Sequence, residues 1–535
     1  MAGATGHQTF DLLVIGGGVN GCGIARDAAG RGLSVLLCEK GDLASGTSSA
    51  STKLFHGGLR YLEFGEVRLV REALIERERL LKAMPHIAWP LRFVLPLHPD
   101  MRFEGATPVS RLLGAAMPWT RGRRPPWVIR LGLALYDNLG GREILPGTRA
   151  VDLGADPAGR PLKPRFTRAF EYSDCWVEDS RLVALNARDA EGRGATILTR
   201  TRVAAARVAD GLWEARLDGQ GAGTARARMV VNAAGPWAGE TLSATLGLAS
   251  PDRVRLVRGS HVVTRRLFDH DRCYFFQGRD GRIIFAIPYE GDFTLIGTTD
   301  VEHPDPSVPP VCTPEEQEYL LAFASEYFAR PVTRDDVVWT YSGVRPLYEE
   351  GAAPGTSATA ATRDYTLKVD ASKGAPVLHV FGGKITTYRR LAEAALDRIG
   401  PVLGNTQGPW TAGVPLPGGD FPVSGVERLI ADLLAAHPFL DSPWARRLAR
   451  AYGTEARAIL GAARRREDLG ADFGATLTEA EVRWLMDREW AQTAEDVAWR
   501  RSKLGLRMTG AEVAALDAWM ADARRAPEAA RAGAA

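Results

Sequence analysis

The 535-residue sequence lacks the features that mark secreted, membrane-spanning or nucleic-acid-binding chains. It holds only five cysteines, at 22, 38, 175, 273 and 312, with no C-x-x-C pair. So sparse and odd a set excludes a disulfide framework and a cysteine zinc site, and predicts reduced, buried thiols in a cytosolic compartment. No apolar run is long enough to cross a bilayer. The first residues, MAGATGHQTF, show neither a basic start with an apolar stretch nor an Arg-rich amphipathic pattern, so no leader peptide is expected. Charge of one sign is lacking as well. Lys and Arg number 67 against 64 Asp and Glu, a net of +3, which gives no electrostatic case for binding nucleic acid. What remains is ordinary for a globular protein: 45% hydrophobic and 24% charged residues, in a chain long enough for two or three domains.

The apolar run Phe10–Ile15 reads as a central parallel strand, Val19–Arg31 as a tightly packed helix with Ala25, Ala28 and Ala29, and Leu33–Cys38 as a second strand. Between the first strand and the helix lies Gly16-Gly17-Gly18-Val19-Asn20-Gly21, a G-x-G-x-x-G pattern with glycines at 16, 18 and 21. The first permits a tight turn, the second a close backbone approach to a pyrophosphate, and the third close helix–strand packing. The phosphates then sit at a helix N-terminus, where unpaired N–H groups point outward. Glu39, ending the second strand, is placed to accept hydrogen bonds from ribose hydroxyls. This unit predicts a nucleotide site without deciding between FAD and NAD. Two later strand ends favour FAD: Val230–Gly235, closing in Ala234 and Gly235, and Leu378–Lys384, which runs into Gly382-Gly383 and then Thr386 and Thr387. A helix opening there would aim its positive end at the pyrimidine edge of a flavin.

Along the rest of the chain, residues 66–84 carry apolar positions at helical spacing. A Pro/Arg/Gly-rich stretch follows from Pro99 to Pro126, and strand-like segments alternate with turns from about 195 to 300. After Pro415–Asp420 the periodicity is helical almost to the end, which predicts a small all-α domain over 413–525 and a frayed tail over 526–535. Arg121, Arg123 and Arg124 stand beside Trp127, Val128, Ile129, Leu131, Leu133 and Leu135. Two readings are open for that tract: basic residues on anionic headgroups with interfacial insertion, or a solvated loop before a core helix.

The motifs become specific from Thr47 to Leu62 (TSSASTKLFHGGLRYL), and continue in order with Phe170–Trp176, Gly297–Asp300, Tyr341–Leu347, Thr362–Tyr365, Phe381–Tyr388 and Trp499–Arg501. From about Asp11 to Arg507 the sequence resembles the aerobic, FAD-dependent glycerol-3-phosphate dehydrogenases. The resemblance implies an α/β plus all-α fold. That is a Rossmann-like FAD-binding domain of the D-amino-acid-oxidase type over 9–412, an interleaved β-rich capping subdomain at about 76–165 and 245–340, and the C-terminal helical domain. It implies oxidation of sn-glycerol 3-phosphate to dihydroxyacetone phosphate, with electrons passed to membrane quinone by a homodimer held peripherally on the inner face of the cell membrane. Calcium regulation is not expected, because no D-x-[DN]-x-[DN]-G loop is present. The segment from about 103 to 124 is longer than in the bacterial dehydrogenases.

The same resemblance assigns roles. Arg60, Tyr61, Arg345, Arg363 and Lys384 line the substrate pocket, where arginine forks and a lysine point charge suit a phosphate dianion. Arg345 alternatively stabilises the developing C2 alkoxide. His56 is the first candidate for the base and His261 the second, histidine being suited to neutral pH. Thr47, Ser48 and Ser51 are expected to donate hydrogen bonds to FAD, beside Gly16, Gly18, Gly21, Glu39, Ala234, Gly235, Gly383 and Thr386. No metal is expected. Other readings compete: an oxidase reducing oxygen to peroxide, a non-catalytic flavin redox sensor, and an amino-acid oxidase on the same fold. The last would need a carboxylate clamp and an ammonium site in place of clustered cations.

Overall fold

The computed structural model describes residues 8–103, 107–116, 123–249, 253–278, 281–349 and 364–532. The chain opens with β1 (Thr9–Ile15), α1 (Val19–Gly30) and β2 (Val35–Cys38), the βαβ unit expected from the sequence. β1 lies centrally, paired in parallel with β2 on one side and with Gly223–Asn232 on the other; Val377–Phe381 and Thr196–Leu198 extend the parallel sheet outward. Strands buried on both faces favour apolar residues throughout, which is why Leu12–Ile15 of β1 and all of β2 read as unbroken hydrophobic runs. The small residues Ala25, Ala28 and Ala29 let α1 pack against Asp179–Gly192 and Tyr388–Leu403 in one core.

A second sheet is ten-stranded among the described residues. Its long antiparallel pair is Arg253–Arg265 with Val337–Glu349, and Ala88–Pro96 pairs with Arg168–Val177. It therefore draws strands from outside 76–165 and 245–340: Leu54–Phe55, Arg168–Val177 and most of Val337–Glu349. The helical domain has its own core, with Trp444, Leu448, Tyr452, Val482, Leu485, Val497 and Leu516 all buried. Its last helix, Gly510–Ala532, runs on through most of the tail that was expected to fray. Four of the five cysteines are buried, and all are unpaired thiols.

Candidate functional site

The turn after β1 is shaped by what cannot fit in it. Gly16 has φ +115, and a Cβ there would lie 2.6 Å from the Ala233 carbonyl oxygen. A Cβ on Gly21 would lie 1.9 Å from the Gly16 oxygen. The first turn of α1 thus presses on the end of Gly223–Asn232, leaving the helix N-terminus open to an anion. Gly18 occupies the N-cap, and the Val19 N–H is taken by Ser48 Oγ at 3.0 Å. The Glu39 carboxylate accepts from the Gly17 and Gly41 amides, both at 2.7 Å. Burial raises its pKa, and those two N–H groups pull it back.

Beyond this turn a cavity of about 580 Å3 opens between the second sheet and the Gly382-Gly383 turn. His56, Arg60, Tyr61, Arg345, Gly383, Lys384 and Thr47 all line it, although the sequence spreads them over more than three hundred positions. The Lys384 ammonium lies 3.7 Å above the Tyr61 ring. Arg345 forks between the Asp300 carboxylate and Thr298 Oγ1, the latter at 3.2 Å. Behind that fork stands a buried carboxylate. Glu316 accepts from Arg258 and Ser260 at 2.8 Å and from Thr299 at 2.7 Å, tying the strand Arg253–Arg265 to the turn that follows Gly297 and carries Asp300. Thr386 Oγ1 accepts the His56 amide at 3.2 Å, so the turn before the helix Tyr388–Leu403 carries the histidine loop. Thr47 Oγ1 donates to the Val344 carbonyl at 2.5 Å.

Several expected residues lie elsewhere. His261 does not line the cavity: it is 1% exposed, stacked on Tyr341 at 4.6 Å, with Nε2 2.9 Å from Thr52 Oγ1. Burial, then the positive charges of Arg345 and Lys53, push its pKa well below the usual imidazole range. Ser51 donates to Asp179 at 2.7 Å, inside a buried cluster with Lys53. Ala234 and Gly235 form the turn at the end of Gly223–Asn232, with Gly235 at φ +56. Arg363 and Arg121 lie outside the described residues. Arg124 departs from the headgroup reading, being buried, ion-paired with Glu63 and bonded to Gln277 at 3.0 Å. The helix Pro126–Leu139 places Ile129 and Leu133 in the core and leaves Trp127, Leu131 and Leu135 exposed. Among the described residues, no helix is long and apolar enough to cross a membrane, and no cluster of His, Cys, Asp or Glu could hold a metal ion.

Sequence reasoning missed the support behind His56. Tyr136, on the helix Pro126–Leu139, accepts the Gly57 amide at 2.7 Å and donates to Asp174 at 2.7 Å. Arg77 donates to the same Asp174 oxygen at 2.6 Å. Asp174 lines the cavity, and burial raises its pKa to about 6 against the pull of Arg77. Asp174 stood inside the quoted F-E-Y-S-D-C-W segment, and Asp300 inside G-T-T-D. Tyr136, Arg77 and Glu316 carried no local signal.

Two family descriptions cover most of the chain. Residues 11–389 match "FAD dependent oxidoreductase", and residues 409–524 match "C-terminal domain of alpha-glycerophosphate oxidase". The chain belongs to the FAD-dependent oxidoreductase family. Among its relatives, a D-erythritol 1-phosphate dehydrogenase of Brucella abortus is 47% identical, across 96% of this chain and 98% of its own length. An aerobic glycerol-3-phosphate dehydrogenase of Escherichia coli is 45% identical, again across 96% and 98%. The solved FAD complex of a glycerol-3-phosphate dehydrogenase from Bacillus halodurans shares the fold, with a TM-score of 0.68 and 26% identity, covering 93% of this chain and 86% of that one. The D-amino-acid-oxidase-type fold with a helical C-terminal domain is thus established, and FAD is the cofactor. The residues present fit it: Gly16 and Gly21 leave no room for side chains, α1 presents its N-terminus, and Glu39 follows β2 beside their turn.

Proposed function

We propose that this flavoenzyme oxidises sn-glycerol 3-phosphate at C2 to dihydroxyacetone phosphate and passes the electrons to a membrane quinone. The observation that carries the reading is one cavity lined by Arg345, Lys384, Arg60 and His56. Three cations suit a phosphate dianion, and a carboxylate-and-ammonium substrate would be poorly served by them. Bound FAD supplies the hydride acceptor, its N5 atom. Lys384, carried on the Gly-Gly turn, and Arg60 hold the phosphate. Arg345, oriented by Asp300 and Thr298, directs its remaining N–H groups to the substrate, where a guanidinium also stabilises negative charge growing on the C2 oxygen. His56 takes the hydroxyl proton, its backbone held by Thr386 and by the Tyr136 contact to Gly57.

The near-equal identities to an erythritol-phosphate and a glycerol-phosphate dehydrogenase favour a second reading for the substrate, a four-carbon polyol monophosphate. Steady-state kcat/KM for both phosphates, with product analysis, separates the two readings. Reoxidation of the reduced enzyme by a soluble quinone analogue or by oxygen then separates dehydrogenase from oxidase.

Membrane association belongs to the same proposal. Trp127, Leu131 and Leu135 are 50%, 55% and 48% exposed on one helix, and Leu112 is 74% exposed on the helix Pro108–Ala116, whose Pro108 reaches the cavity. Apolar side chains on helices beside the mouth suit interfacial insertion next to a lipid-soluble acceptor. Flotation with anionic vesicles is expected to carry the wild type and to leave a Leu131→Glu, Leu135→Glu variant behind. Equal flotation of both would remove this surface from the reading.

A further inference from the structure

The helical domain contributes no residue to the cavity wall, yet one short segment of it reaches the cofactor loop directly. Residues Asp496–Arg501 form a stretch of π-helix, a form that is rare and concentrated at functional positions. From it Arg501 donates to both oxygens of Asp42, at 2.7 and 2.8 Å, and Arg500 adds a third bond at 2.7 Å. Arg501 and Asp42 are 0% and 1% exposed at their side chains. Asp42 belongs to the loop that follows Glu39 and lies against the dinucleotide turn. The Ala44 amide donates to the Gly17 carbonyl at 3.1 Å, while Glu39 receives the Gly17 amide from the other side. A second route ends on the same loop. Asp496 accepts from the Arg200 guanidinium at 2.6 Å, and the Arg200 amide donates to the Gly41 carbonyl at 2.8 Å.

A fully buried, bidentate ion pair is an expensive way to join two domains, since removing either partner strands a charge in the interior. Other ion pairs, including the buried Arg181–Glu489 pair, dock the two domains without touching the cofactor loop. Arg188 and Glu455 already link the helical domain to Asp179–Gly192 through two bonds at 2.6 and 2.8 Å, away from the cofactor loop. The geometry points to a distinct role for the segment Asp496–Arg501: it is a clamp that locks the loop 39–45 against the Gly16–Gly18 turn, and so retains FAD. The helical domain acts as a cofactor-retention element, with Arg501 and Asp42 as positioning residues. FAD and the domain contact then stabilise each other reciprocally. This rests on FAD being the cofactor and is independent of which substrate the enzyme oxidises.

The test uses the full-length holoenzyme. FAD release on dilution, followed by the rise in free flavin fluorescence, is measured for Asp42→Asn, Arg501→Lys and the interface control Glu455→Gln, alongside thermal midpoints. Asp42→Asn and Arg501→Lys are expected to release FAD about tenfold faster or more. Glu455→Gln is expected to hold FAD like the wild type whatever it does to the midpoint. Hydrogen exchange of the unmodified protein, apo and FAD-reconstituted, covers variants that fail to fold. FAD is expected to slow exchange at 496–501 together with 39–45, and to leave Val426–Ala436 unchanged. Unaltered release from the Asp42 and Arg501 variants, release that tracks the midpoint equally in Glu455→Gln, or no FAD-dependent protection at 496–501 would each overturn the clamp. Failure to oxidise glycerol 3-phosphate would leave all of these readouts intact.

Discussion

Replacing Tyr136 by Phe removes one oxygen atom and tests whether the histidine loop is held from behind. The hydroxyl lies between the Gly57 amide and Asp174, 2.7 Å from each, on a residue only 2% exposed. The ring's contacts survive in phenylalanine: the edge-on packing with Tyr172 at 5.9 Å and the Arg77 guanidinium 5.5 Å above it. Two costs remain. Leaving the buried Gly57 amide without an acceptor costs about 1–3 kcal/mol, and the lost bond to an ionised Asp174 costs about 1.5–3 kcal/mol, part of which Arg77 retains. The cheaper response is for the His56–Gly58 loop to turn its amide toward the cavity. A shift of about 1 Å at the reacting groups slows catalysis by roughly a hundredfold. Anaerobic stopped-flow reduction of the bound flavin by glycerol 3-phosphate measures this step, with the substrate dependence separating rate from affinity. The expectation is a fall of about ten- to a hundredfold in the limiting rate, with FAD fully retained. A Tyr136→Phe variant with a wild-type rate and thermal midpoint would refute the reasoning.

Other outcomes follow from the same geometry. Lys384→Met removes a cavity cation while keeping the chain's bulk, and is expected to raise KM about tenfold or more while FAD content stays unchanged. His56→Gln is expected to lower kcat by about a hundredfold or more; undiminished turnover would remove His56 from the role. Gly21→Ala would place a Cβ 1.9 Å from the Gly16 oxygen, so purified protein is expected to come out colourless. His86 is fully buried at the junction with the helical domain, and burial, followed by the charges of Arg181 and Arg450, lowers its pKa to about 3. The unfolded chain binds that proton from about pH 6.5 downward and the folded one does not. Stability from this group is therefore complete above pH 6.5 and is lost as pH falls toward 3, by about 4–5 kcal/mol in all. Urea midpoints across that window are expected to fall less steeply in His86→Leu.

The dinucleotide half of the molecule was readable in advance for a local reason. The Gly16–Gly21 turn, the helix after it and the carboxylate at Glu39 are one continuous stretch, and their chemistry depends on near neighbours. The cavity was legible only through motifs, since Arg60 on a short 3-10 helix, Arg345 on a strand and Lys384 in a turn meet only in the folded chain. What stayed hidden depends on tertiary folding. His261 was a candidate base by residue type, but the strand Arg253–Arg265 turns it inward beneath Thr52 and against Tyr341. Arg124 looks like part of a basic patch until Glu63, about sixty positions earlier, is brought beside it. Tyr136 reaches Gly57 because its helix folds over the loop, with Leu74 and Tyr136 both packed where a Gly57 side chain would be. The Arg501–Asp42 pair joins residues separated by 459 positions.

The proposed reaction is tested most directly by an anaerobic titration of the purified, FAD-loaded protein with sn-glycerol 3-phosphate, followed by flavin absorbance. One equivalent of substrate is expected to bleach one equivalent of flavin, with dihydroxyacetone phosphate as the product. A yellow protein that stays yellow in excess glycerol 3-phosphate, yet is reduced by dithionite, would contradict it.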